Sequence, residues 1–231
     1  MRTLGILGGM SWESTQVYYQ DLNAGVRHAR GGLSSAPLLL HSLEFSQLAA
    51  WQHAGDWEAI AQTLAAAAQG LEQAGAKAIM IATNTMHKVA DQVQARIDVP
   101  LLHILEGVGQ RLAQAGITQA GLLGTLFSME DGFYQRHLAQ GFDIALQVPE
   151  ASGRQQVHRI IFEELCQGKV LELSRQQLAD EAQKLAQSGC QAVILGCTEL
   201  GLALQGEVAG TPLLDSTEIH IQQGLDFLLA Q

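Results

Sequence analysis

The chain has 231 residues, 47% of them hydrophobic and only 16% charged, a composition that can bury a sizeable core and that speaks against disorder. Its formal charge of −10 argues against nucleic acid or an acidic membrane surface as a partner, and no apolar run reaches the length of a membrane span. Three cysteines, Cys166, Cys190 and Cys197, are odd in number and lack metal-ligand spacing, so they read as free thiols of a cytoplasmic protein with no bound metal.

The opening stretch MRTLGILGGMSW lacks the cleavage pattern of a signal peptide and reads directly as a strand over 3–9. A helical pattern follows over 13–29, then a strand over 36–43 and a helix over 56–74, where alanine and leucine run to a stop at Gly75. Strands at 76–83 and 99–104 come next, then a helix over 105–115 and a strand over 119–125. The remainder reads as helix 130–140, strand 145–150, helices 155–167 and 174–188, strand 191–197, strand 211–216 and helix 217–230. Uncharged strands alternating with helices predict an α/β fold whose parallel sheets are covered on both faces.

The chain also resembles itself. GILGGM near the start matches GLLGTL with Gly8 on Gly124, AGAKAIMIATNTMH (74–87) matches SGCQAVILGCTELG (188–201), and PLLHI (100–104) matches PLLDS (212–216). The order is kept at offsets of 116, 114 and 112 residues, as expected of a duplicated lobe trimmed in its loops. This predicts two pseudo-symmetric lobes, the first formed by 1–100 plus 213–231 and the second by 101–212. In the middle match Cys197 falls on Thr83, each at the carboxyl end of a strand, where open parallel sheets bind ligands. Two facing lobes would set these groups on opposite walls of one active-site cleft.

Such walls suit chemistry symmetric about one carbon, above all racemisation, in which one group removes a proton and the other returns one to the opposite face. A thiol, with an unperturbed pKa of about 8.5, suits the task, and the helix expected to start at TELG should favour the Cys197 thiolate. Asn84 and Thr85, and Thr198 with Glu199, begin the helices after the two turns and offer donors to an α-carboxylate, although Asn84 serves equally as a cap. Glu199 either exchanges protons with Cys197 or simply stabilises a helix dipole. Met10, Ser11 and Thr125 follow the glycine turns of the first strand of each lobe and line the same rims, or else merely form the turns. His87, one turn past Thr85, could touch the site or be an ordinary core histidine; Tyr18 and Tyr134 read as packing residues, His103 and Asp215 as structural residues near a hinge, and Cys166 and Cys190 as inert.

LGILGGMSWEST, TNTMHK and GCTELG, supported by FEELCQGK and PLLDSTEIH, together make the chain resemble the PLP-independent aspartate/glutamate racemase family over essentially its full length, with the YgeA-type amino-acid racemases as the nearest likeness. The resemblance implies two lobes of one fold, an active site between them, no cofactor, a small amino-acid substrate and a homodimer. By motif position it makes Thr83 and Cys197 the two acid/base residues, yet most members carry cysteine at both places. A threonine hydroxyl is a very poor base, so the two directions should be unequal, and analogy with threonine-bearing relatives points to L-aspartate and L-glutamate. Lys169 matches a family position that offers a cation to the side-chain carboxylate. The basic residue some relatives carry after the second strand is missing, with Gln52 a neutral donor in its stead. The alternatives are racemisation or decarboxylation of another small acid, such as a hydantoin or malonate derivative, and an amino-acid-binding protein without turnover.

Overall fold

The computed structural model describes residues 1–230; Gln231, the last residue of the first lobe as read from sequence, lies outside the described residues. In chain order the elements are β1 (Leu4–Gly8), α1 (Trp12–Arg30), β2 (Leu38–Ser42), α2 (Phe45–Ala54), α3 (Trp57–Gln73), β3 (Ala78–Ile81), a 3-10 turn (Thr85–Val89), α4 (Ala90–Gln94) and β4 (Leu101–Leu102). Then come α5 (Ile104–Gln114), β5 (Gln119–Gly124), α6 (Leu126–Glu130), α7 (Phe133–Phe142), β6 (Ala145–Gln147), α8 (Ala151–Glu163) and a 3-10 turn (Leu165–Gln167). The chain closes with α9 (Glu172–Gln187), β7 (Ala192–Gly196), α10 (Leu200–Ala203), β8 (Glu207–Val208), β9 (Thr211–Asp215) and α11 (Ser216–Leu229). Two compact units result, one of Met1–His103 with the C-terminal segment from His220, the other of Ile104–Ile219.

In the first unit four parallel strands run in the order β2-β1-β3-β4, with Leu4 to Leu7 of β1 opposite Ala78 to Ile81 of β3. Side chains alternate between the faces of a strand, and here each face has its own core. Leu7, Ile79 and Ile81 pack with Ile60, Leu64 and Leu71 of α3, while Ile6, Ala78 and Met80 pack with Tyr18, Leu22 and Val26 of α1 and Ile221 and Leu228 of α11. Strands buried on both sides need apolar residues at every position, which is why β1 and β3 read as unbroken hydrophobic runs. Each such fully buried aliphatic side chain contributes about 1.5–3 kcal/mol.

In the second unit β6-β5-β7-β9 repeats that strand order, all parallel, and β8 adds an antiparallel edge strand beside β9. Its core joins Leu122, Leu123, Val193, Ile194 and Leu195 of the sheet to Leu105 and Leu112 of α5, Tyr134 and Leu138 of α7, Val157 and Ile160 of α8, and Leu178 and Leu185 of α9.

Several elements differ from the sequence reading. The helix α2 went unread because Leu48 is its only buried residue, so no apolar period marks it; Glu44 accepts from the N–H groups of Ser46 and Gln47 to start it, and left-handed Gly55 ends it. The helix expected over 130–140 is α7, starting only at Phe133 after left-handed Gly132 (φ 83°), and the short α6 before it went unread. The helix expected over 155–167 begins at Ala151 and gives way after Glu163 to the 3-10 turn. The strand 99–104 shrinks to Leu101–Leu102, and the 85–94 segment, unassigned from sequence, winds into the 3-10 turn and α4.

Candidate active site

Within the first unit the carboxyl ends of β1 and β3 lie side by side, the N–H of Ala82 donating to the Leu7 carbonyl across 2.9 Å. The chain leaves β1 through Gly8 and Gly9. Gly9 has φ 87°, and a β-carbon there would lie 2.2 Å from the Leu43 carbonyl oxygen, so no other residue fits. The Gly9 N–H donates to the Thr15 hydroxyl (2.8 Å), which donates in turn to the Ser11 carbonyl (2.8 Å), while the Ser11 hydroxyl accepts from the Ser14 N–H and caps α1. Met10 is buried among Leu7, Leu48 and Ile60, which leaves its backbone alone for contact with a ligand.

Thr83 lies two residues beyond the end of β3 and is half-buried, its N–H donating to the Ile81 carbonyl (2.8 Å). Asn84 is buried but its side chain does not cap the turn that follows, so the capping role allowed by sequence is not the one it plays. Thr85, half-buried, opens that turn. Gln52 lies half-buried on α2, which follows β2. Met10, Ser11, Thr83, Asn84 and Thr85 thus gather at one edge of the first sheet.

In the second unit Gly124 of β5 pairs with Gly196 of β7, which brings Thr125 and Cys197 to neighbouring strand ends. Thr125 is buried and caps α6 by accepting from the Ser128 N–H (3.3 Å). The Cys197 thiol donates to Glu199 Oε2 (2.9 Å), and the Thr198 hydroxyl donates to the same oxygen (2.8 Å). All three residues are half-buried. Lys169 is exposed, its ammonium donating to Gln167 Oε1 (2.8 Å) and its N–H to the Glu164 carbonyl (3.0 Å). The Glu164 carboxylate is held by Arg159 (3.0 Å) and by Ser174, which pins the loop carrying Lys169.

The electrostatics correct one expectation. Burial pushes the Cys197 thiol well above its ordinary value, and the Glu199 carboxylate adds to the rise through its charge and through the hydrogen bond that holds the thiol proton. The Glu199 N–H, at the cap of the four-residue α10, does lower it as the helix start predicts, but burial and the Glu199 carboxylate outweigh that contribution. The resting group is a thiol paired with a carboxylate.

The Asp/Glu/hydantoin racemase family pattern matches residues 7–224. The chain belongs to this family. It shares 43% identity with a candidate Asp/Glu racemase from Yersinia pestis, over 99% of this chain and 100% of that one, with a TM-score of 0.94. An aspartate racemase homologue from Pyrococcus horikoshii OT3 is 32% identical over 99% of both chains, with a TM-score of 0.86. A glutamate racemase of Thermus thermophilus is 30% identical over 155 residues, which are 64% of this chain and 54% of that protein.

Two features of this racemase-family chain are decided only by the folded structure. Cys166 is exposed on the 3-10 turn Leu165–Gln167, in the electrostatic neighbourhood of Cys197, and is the least of the influences that raise that thiol. In the first unit His87, buried, directs Nδ1 at the Thr83 carbonyl (2.8 Å), and its ring meets those of His103 (4.7 Å between centroids) and His220 (5.3 Å) edge to face. The available signal was the Tyr18–Tyr134 match across the repeat, because Tyr18 bonds His220 and Tyr134 bonds Ser216, both on α11. Among the described residues no helix is long and apolar enough to cross a membrane, and no group of three His, Cys, Asp or Glu could hold a metal ion.

Proposed function

We propose that the protein is a cofactor-independent racemase of acidic amino acids, aspartate or glutamate, with Cys197 as the base for one enantiomer. The observation that carries this reading is the 2.9 Å hydrogen bond from the Cys197 thiol to Glu199. A thiol held above its ordinary value is a poor nucleophile and base until its proton leaves, and Glu199 is already the acceptor of that proton. Proton transfer to Glu199 leaves a thiolate; the thiolate takes the substrate's α-hydrogen, and the electron pair of the broken C–H bond remains on the α-carbon. A proton delivered to the opposite face by the Thr83 hydroxyl completes inversion; Glu199 then releases its proton to solvent, and solvent restores the Thr83 hydroxyl.

Asn84, Thr85 and Thr198 serve the α-carboxylate in this reading, and Lys169 with Gln52 the side-chain carboxylate. Met10, Ser11 and Thr125 complete the rim, Met10 through its backbone. Because Thr83 is a far weaker base than a thiolate, abstraction from the face it serves is slow; that the L form is the better substrate follows only from the resemblance to threonine-bearing relatives. The family resemblance further suggests a homodimer, and three free cysteines suit the cytoplasm.

Exchange of the α-hydrogen in heavy water tests the reading. L-aspartate or L-glutamate should exchange readily and the D form slowly. No exchange with either enantiomer of either acid would instead make the protein a binder, and exchange confined to another small acid would move the substrate class.

A further inference from the structure

We propose that His87 is a positioning residue for Thr83, acting through a single ring N–H at Nδ1. The inference rests on the racemase reading and extends it to the weaker of the two proton carriers. A carbonyl only accepts, so the 2.8 Å contact of Nδ1 with the Thr83 oxygen requires the proton on Nδ1. His220 is the opposite tautomer: its Nε2 lies 2.7 Å from the Leu102 carbonyl and must donate, which leaves Nδ1 to accept from the Tyr18 hydroxyl at 2.8 Å. His87 Nε2 is then a lone pair, and it is buried with no hydrogen-bond partner. Leaving a buried acceptor unsatisfied is costly, so its retention marks a ring held for what its other nitrogen does.

What Nδ1 holds is the peptide plane that follows Thr83. Thr83 leaves β3 in a tight turn in which its own N–H reaches back to Ile81, and the His87 bond fixes its carbonyl on the other side. Together they set the direction of the Thr83 side chain and the start of the turn at Asn84. The neutral ring is enforced from each element packed on it. His103 lies beyond β4 and His220 on α11, and burial with these two imidazoles holds His87 well below the usual histidine range. Tyr18 on α1 locks His220 in turn.

Two amide replacements separate the nitrogens. His87→Asn keeps a donor near the position of Nδ1, whereas His87→Gln moves it toward that of Nε2. Each is assayed with L-aspartate and L-glutamate for α-hydrogen exchange, the work of Cys197, and for D product, which also needs Thr83. His87→Asn should keep the wild-type ratio of product to exchange, and His87→Gln should lower it at least about tenfold while exchange falls no more than about threefold. Equal losses in both rates, or an unmoved ratio in His87→Gln, overturn the positioning role and leave the racemase reading intact. Wild-type protein without exchange ends that reading and this role with it. Should the variants not fold, the imidazole nitrogen spectrum of the wild type decides: a neutral, Nδ1-protonated His87 is required, and Nε2 protonation overturns the proposal.

Discussion

Cys197 Sγ and Glu199 Oε2 are 2.9 Å apart, with the Thr198 hydroxyl donating to the same carboxylate oxygen at 2.8 Å. The carboxylate thus both withholds the thiolate at rest and provides its proton acceptor. Replacing it separates the two effects. Glu199→Gln removes the negative charge that helps raise the Cys197 pKa and supplies an amide that can donate to a thiolate, so the thiol should titrate at lower pH by thiolate absorbance. Exchange at neutral pH should nonetheless fall about a hundredfold, the lower end of what general acid–base groups contribute. A thiol titration that does not move would separate Glu199 from Cys197.

The proposed inequality of Thr83 and Cys197 can be tested by making the two residues alike. Thr83→Cys should raise exchange of the D form toward that of the L form, because a thiolate replaces a hydroxyl of far higher pKa. Cys197→Ser should abolish exchange of the L form. Measurable L exchange in Cys197→Ser takes the base role from Cys197, and no gain on the D form in Thr83→Cys removes the explanation of asymmetry.

The turn that releases Thr83's neighbour strand is a point of stability. Gly9→Ala imposes a side chain at φ 87° and a β-carbon 2.2 Å from the Leu43 carbonyl oxygen, a backbone atom that cannot swing aside. Backbone strain of this kind costs about 1–3 kcal/mol before the clash is counted. Urea unfolding should show a loss of at least that size, and a loss below about 0.5 kcal/mol would mean the turn rearranges freely.

Acid should destabilise the protein through His220. Burial, partly offset by the bond to the Leu102 carbonyl, pushes it down to about 4 from an ordinary 6.5. Between those values the unfolded chain binds a proton that the folded one does not, so stability is complete above about pH 6.5 and is lost as pH falls through about 4. At 1.36 kcal/mol per pH unit the loss from this residue is roughly 3 kcal/mol. His220→Gln should flatten the slope of unfolding free energy between pH 4.5 and 6.5, and an unchanged slope assigns the acid sensitivity elsewhere.

Much of this was legible in the residues themselves. Period and offset mark Thr83 and Cys197 as equivalent strand ends, since a βα turn has to leave a parallel strand at its carboxyl end and a duplication preserves the register. The strands β1, β3 and β7 announce themselves because burial on two faces leaves room for nothing polar. The helix α2 was hidden for the converse reason, with Leu48 its one buried residue.

The sequence by itself determined a duplicated α/β chain, its racemase-family motifs and the residues at the strand ends. Only the tertiary structure decided their chemical state. Tyr18, His87, His103 and His220 come from four separate stretches, and Cys166 reaches the neighbourhood of Cys197 from another. Periodicity reports which way a side chain faces, but a tautomer or a displaced pKa depends on the atoms that meet it there. The same glutamate lowers the thiol's pKa through its backbone N–H but raises it more through its carboxylate, and that contact exists only once the turn is folded.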